Sequence, residues 1–200
     1  VHDGGNVELV ESAIVDAQQT ALSANGTGSA LHIERSLVTG TRHRFLGDFA
    51  FPGGSGQAIG VGDGAELVSI DSALVENDAI GVFGVGAARL RLVRSLIEGT
   101  SSVPDAPLGV GVLVMSSALE MDASVIRRSA DTAVTFDASA GMVITCTLYD
   151  NDVGVRTLGG TELVQVSSAP ASVEVGKAVL YATRFDDNAA ASSTAPLGSH

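Results

Sequence analysis

Residues 79–100 read AIGVFGVGAARLRLVRSLIEGT, and one seven-residue piece of this stretch, Leu92–Glu98 (LVRSLIE), has six counterparts along the chain. They are Leu9–Val15 (LVESAIV), Ile33–Thr39 (IERSLVT), Ser69–Val75 (SIDSALV), Met121–Arg127 (MDASVIR), Ile144–Asp150 (ITCTLYD) and Leu180–Asp186 (LYATRFD). Each centres on a small hydroxyl residue: Ser12, Ser36, Ser72, Ser95, Ser124, Thr147 and Thr183. Successive centres lie 24, 36, 23, 29, 23 and 36 residues apart. The value of 23 or 24 is the basic period, and the longer spacings are that period with insertions. A fixed period in this range predicts a solenoid.

With the hydroxyl residue as position zero, position −5 holds Val7, Leu31, Leu67, Leu90, Leu119, Met142 and Ala178. Position −3 holds Leu9, Ile33, Ser69, Leu92, Met121, Ile144 and Leu180, and position +2 holds Ile14, Val38, Leu74, Ile97, Ile126, Tyr149 and Phe185. Apolar residues two apart follow the strand period, with one face buried. Position −4 is mixed (Glu8, His32, Val68, Arg91, Glu120, Val143, Val179) and reads as the outward face. A second, shorter strand follows each unit, as in Ile59-Gly60-Val61 and Val153-Gly154-Val155. Asn77, Asn151, Asn188, Gly40 and Gly99 sit between the strands, and such residues tolerate the left-handed backbone of a sharp corner. Like strands then stack in parallel, and at roughly 4.8 Å per strand seven coils make a rod about 30–35 Å long.

These units resemble the right-handed parallel β-helix repeats of the pectate-lyase-like superfamily, most clearly in residues 79–100 and in GVGVLVMSSALEMDASVIRRS (109–129). The resemblance runs from about Gly5 to Asn188. It implies an all-β, right-handed parallel β-helix of about seven coils with three loop insertions. Residues 1–188 are expected as one domain, and 189–200 as a linker-like tail. The superfamily holds lyases, hydrolases, epimerases, adhesins and inert spacers, so the resemblance speaks to fold and leaves activity open.

The net charge of −12 disfavours a nucleic-acid partner, which requires clustered Lys and Arg. The apolar runs are too short to span a membrane, so no insertion is expected. Cys146 is the only cysteine and has no disulfide partner in the chain. The chain opens at Val1 in the middle of a repeat, without a signal-peptide pattern. That predicts a mature form or a segment of something longer, flanked by other domains or paired end to end with a second copy to cover the open strand edges.

The hydroxyl column invites a nucleophile reading. No His or acid accompanies it at a fixed offset, so it reads instead as a hydrogen-bonded corner ladder. Position −1 (Glu11, Arg35, Asp71, Arg94, Ala123, Cys146, Ala182) begins with alternating signs and predicts an outward ladder of ion pairs. The +3 column ends in Glu98, Arg127, Asp150 and Asp186, with Asp152 and Asp187 beside them. The superfamily's pectate lyases use aspartates with Ca²⁺ and an arginine base, and its polygalacturonases use three aspartates. By that resemblance Asp150, Asp152, Asp186, Asp187 and Arg127 are the catalytic candidates. The same carboxylates, converging at this spacing, are where Ca²⁺ would find oxygen ligands. No other cofactor is implied, and with four histidines a His-based metal site is not expected.

Function is expected chiefly at the insertions, because loops that interrupt a regular coil tend to carry it. The first, Thr41 to Ser55, holds Arg42, His43, Arg44, Phe45, Phe49 and Phe51. The second, Thr100 to Leu108, holds Asp105. Both leave at the same corner and should flank a shallow cleft. The third, about Thr157 to Ser172, should emerge at a different corner. The expectation is a secreted or cell-surface β-helix acting as a rigid display or binding module, with polysaccharide or another surface protein as partner. The alternative is a polysaccharide lyase or glycoside hydrolase using the Asp/Arg cluster.

Overall fold

A computed structural model describes residues 1–43, 56–104 and 108–194. Every regular element among them is a strand, and the strands form a right-handed parallel β-helix of seven coils with three sheets. The first sheet is built from five-residue strands: β1 (Asn6–Val10), β4 (Ala30–Glu34), β7 (Glu66–Ile70), β10 (Arg89–Val93), β13 (Ala118–Asp122), β16 (Ala140–Ile144) and β20 (Lys177–Tyr181). The second has three-residue strands: β2 (Ala13–Val15), β5 (Leu37–Thr39), β8 (Ala73–Val75), β11 (Leu96–Glu98), β14 (Val125–Arg127), β17 (Thr147–Tyr149) and β21 (Arg184–Asp186). The third contains β3 (Thr20–Asn25), β6 (Gln57–Gly62), β9 (Ile80–Val85), β12 (Val110–Met115), β15 (Thr132–Asp137), β18 (Val153–Leu158) and β22 (Ala190–Thr194). Most of these have six residues, so the strand expected to be shorter is the longest of the three. β22 pairs with β18, which carries the sheet beyond Asn188 into the segment expected to be tail.

The seven-residue unit is two strands meeting at a corner. Its −1 residue is left-handed in every coil: Glu11, Arg35, Asp71, Arg94, Ala123, Thr145 and Ala182 all have φ between 45° and 50°. That kink turns the chain from the first sheet to the second and leaves the next residue pointing inward. Ser36, Ser72, Ser95 and Ser124 are buried there. The N–H of Ser12 donates to Ser36 Oγ (3.1 Å), that of Ser36 to Ser72 Oγ (3.2 Å) and that of Ser95 to Ser124 Oγ (3.1 Å). The hydroxyl ladder is therefore structural. The other two corners carry ladders of their own. Between the second and third sheets, Asn151 Oδ1 accepts the Ser129 N–H (2.9 Å), and Asn188 Oδ1 accepts that of Asn151 (3.0 Å). Between the third and first, Ser139 Oγ accepts the Ser117 N–H (3.2 Å), and Thr161 Oγ1 accepts that of Ser139 (3.0 Å). Buried backbone donors need such partners wherever the chain leaves a sheet.

Inward columns form one core along the rod, including Leu31, Leu67, Leu90, Leu119, Ile97 and Ile126, each 3% exposed or less. The expected register holds in six coils and slips in the sixth. Met121 pairs with Val143 and Ile126 with Leu148, so Val143, Cys146 and Leu148 take the −3, zero and +2 places expected for Ile144, Thr147 and Tyr149. Cys146 is thus buried rather than outward, its thiol directed at the carbonyls of Ile144 (3.1 Å) and Met121 (3.6 Å) as a serine's would be. Burial pushes that thiol's pKa up to about 12.

The third insertion departs at a different corner, after Leu158. It adds a strand, β19 (Glu162–Val166), which lies beyond β20 rather than on β16. The chain therefore passes the free place beside β16, turns back over 167–176 and fills that place with β20.

A candidate binding trough beside the insertion corner

Asp78 ties the bases of the first two insertions together. Its Oδ2 accepts the backbone N–H of His43 (2.8 Å), and its Oδ1 accepts the Ser101 hydroxyl (2.8 Å). The Arg42 guanidinium lies 3.5 Å from Oδ1. The backbones join as well, through bridges of Asp78 with Ser101 and of Gln18 with Arg42. Three successive coils thus meet on one nearly buried carboxylate, which confirms that the two insertions leave side by side. Of the residues expected to face the cleft, the structure places Arg42 and His43 here. Arg44, Phe45, Phe49, Phe51 and Asp105 lie outside the described residues.

The chain returns from the first insertion through Gly56, whose φ is +107° and whose missing side chain leaves space beside Asp78. It then enters β6. On the outer face of this strand Gly60 and Gly62 leave a notch one coil wide. A Cβ on Gly60 would stand 2.8 Å from Gln57 Oε1, and one on Gly62 would run into Asn25 Oδ1. The notch opens a trough of about 400 Å³, within the range of small-molecule sites. Thr20, Ser23 and Asn25 of β3 line one side, and Phe83 and Val85 of β9 the other, with Gln57 and Asp63 at the ends. Phe83 belongs to an apolar cluster with Ile80, Val110 and Leu113 that is separate from the core. Sequence reasoning placed aromatic rings in the loops and missed this wall. The signal was the Gly-x-Gly in β6 beside the phenylalanine that pairs with Gly60 in β9.

The Asp/Arg group is arranged differently from the expectation. Because the sixth coil slips, Tyr149, not Asp150, stands on the +3 column between Arg127 and Asp186. Arg127 donates to Glu98 Oε2 (2.6 Å) and to the Tyr149 hydroxyl, and its guanidinium lies over the Tyr149 ring at 5.6 Å. Arg128 also reaches Glu98, which is buried. Asp186 pairs with Arg184 (2.5 Å), while Asp150, Asp152 and Asp187 are exposed at the corner. Among the described residues no three of His, Cys, Asp and Glu come close enough to hold a metal ion.

The ion-pair ladder is outward as expected. Arg94 grips Asp71 through Nε (2.7 Å) and Nη2 (2.8 Å), and Arg35 lies 3.0 Å from Glu11. Arg94 holds the Asp71 carboxyl below its ordinary pKa, chiefly through the hydrogen bond. The ladder ends at Ala123, and its sixth place belongs to Thr145 rather than Cys146.

No family model matches the chain, and no curated protein matches it.

Proposed function

We propose that this β-helix, of the pectate-lyase-like kind, is a secreted or cell-surface binding module that takes neutral carbohydrate in the trough beside the insertion corner. The observation that carries this reading is the Gly60–Gly62 notch walled by Phe83. Around it stand the amides of Asn25 and Gln57, the hydroxyls of Thr20 and Ser23, and the Asp63 carboxylate. Amide, hydroxyl and carboxylate groups hydrogen-bond to sugar hydroxyls in both directions, and the small exposed part of the largely buried Phe83 ring offers apolar contact to the C–H side of a pyranose. Among the described residues no cation lines the trough, which favours a neutral sugar over an acidic one on a protein of net charge −12. The rigid rod supplies preorganisation: β6 and β9 are paired on both sides, and β3 is paired along its length with β6.

A glycan array followed by calorimetry tests this. Wild type, Gly60→Leu and a deletion of residues 44–55 are compared. Binding of a neutral glycan by wild type that is lost in Gly60→Leu supports the trough. Absence of any glycan binding, or equal binding by wild type and Gly60→Leu, overturns it. Loss only on deletion of 44–55 moves the site onto the insertion.

A further inference from the structure

A second concavity lies on another side of the rod, over the outer face of the first sheet, with a volume of about 330 Å³. Its shape follows from two outward columns. At the first outward position of each strand the long side chains of Glu66 and Arg89 give way to Ala118 and Ala140 in the next two coils. At the second, Val68, Arg91, Glu120 and Met142 follow one another. The third insertion closes one side, where Val173 reaches in from the segment that leads β19 back to β20. The result is an apolar pit bounded by Ala118, Ala140, Met142 and Val173 at the β13–β16 end, with charged rims, the side chains of Glu66, Arg89, Arg91 and Glu120, all on its β7–β13 side.

The rims are balanced. Arg89 pairs with Glu66 (3.0 Å) and Arg91 with Glu120 (3.4 Å), two charges of each sign. All four side chains are at least 43% exposed. Exposed pairs of this kind contribute little stability, so they open readily to meet charges on a ligand. We propose that this groove binds an extended polypeptide segment carrying an acidic and a basic side chain followed by one aliphatic side chain. The pit accepts the aliphatic side chain, and Met142 adapts to its shape. The rims answer charges of both signs, which an acyl chain or a neutral glycan does not present. Every strand beneath is already paired on both sides, so the segment crosses the strands and engages through side chains rather than by adding a strand. From β7 to β16 the groove spans three strand spacings, about 14 Å, the length of about four extended residues. Alternate side chains of such a segment face the floor, which sets the pattern charged–x–charged–x–aliphatic.

The probe is the capped pentapeptide Glu-Ser-Arg-Ser-Leu carrying a fluorophore, with its Leu→Ala analogue and the reversed sequence as comparators. Anisotropy titration against the full chain should show saturable binding of the Leu peptide or its reverse, weakened at least tenfold by Leu→Ala in the peptide. Ala140→Leu fills the pit and should weaken binding tenfold or more. Arg91→Ala, at an exposed site that leaves the fold unchanged, should weaken it severalfold. Gly60→Leu, in the carbohydrate trough, should leave peptide binding unaltered, so this inference and the proposed function fail separately. Absence of saturable binding at millimolar peptide, or equal binding by wild type, Ala140→Leu and Arg91→Ala, overturns it. So does a loss of glycan binding on Ala140→Leu while no peptide binds, which would make the groove a saccharide site.

Discussion

Single residues at the corners carry the strain of this fold. Ala123 and Ala182 sit at φ +47° and +48°, a conformation that costs a non-glycine residue roughly 1–2 kcal/mol. Glycine relieves that cost and returns part of it as unfolded-chain entropy, about 0.4–1 kcal/mol. Ala123→Gly should therefore stabilise the protein slightly, by about 0.5–1 kcal/mol, as a higher urea midpoint at unchanged slope. A lower midpoint would mean that the corner is not strained. Cys146 gives a second check. With its pKa pushed up to about 12 and its thiol buried, it should resist alkylation at pH 8 in the native protein and react once the chain is unfolded. The raised pKa makes its stabilising contribution complete below the unfolded thiol value, near 8.5, and progressively lost as the pH rises above it. Cys146→Ser should be tolerated, because serine fills the same place in the five preceding coils, buried in four of them. Asp71 works in the opposite sense: its lowered pKa gives a contribution present above the unfolded value near 4 and lost as the pH falls below it. That contribution should shrink in high salt, since the pair is exposed.

Pairs of strands are matched by volume across the core. At position −5, four successive coils place leucine, yet the sixth places Gly141, where a Cβ would run into the Phe136 ring. Gly84 makes room for Leu90 in the same way, with 2.5 Å between the built Cβ and the leucine methyl, and Gly154 makes room for Phe185. Gly141→Leu restores the repeat consensus and should nevertheless destabilise strongly, by about 1–3 kcal/mol or more, because it overpacks the site. Phe136→Val combined with Gly141→Leu should recover most of that loss, measured as the coupling in a double-mutant cycle. Additive losses would show that the two side chains do not compete for one volume. Truncation of the regular columns has the ordinary consequence: Leu90→Ala and Ile97→Ala should each cost about 2–5 kcal/mol in chemical unfolding.

Across the whole rod each coil touches only its two neighbours, so stability is approximately a sum of coil and interface terms. The middle coils are buried along the whole third sheet, as in β6 and β9, whereas β1 and β2 are mostly exposed. Hydrogen exchange should therefore be slowest in β9, β12 and β15 and fastest in β1 and β2, with a graded change between them. Uniform protection along the rod would indicate a single cooperative unit instead. The two concavities lie on different sheets, each where a column of side chains is interrupted: by glycines over β6, and by alanines over β13 and β16.

The period, the stacking of like strands and the inward columns were all legible in the chain, because a solenoid repeats its local rules and each rule can be read seven times. The side-by-side insertions at Asp78 followed from the same counting. Tertiary contacts decided what a period leaves open. β16 (AGMVI) is apolar on both faces, so the one-residue slip that exchanges them still presents apolar residues inward, and only pairing with β13 selects Cys146 over Thr147. Arg, Ala and Thr occupy left-handed corners that composition would assign to Gly or Asn, since the geometry there is imposed by the coils on either side. β19 looks like the next strand in line, yet β20 takes the place beside β16. Both concavities arise from side chains that are small relative to those one coil away, a difference that exists only once the coils are stacked.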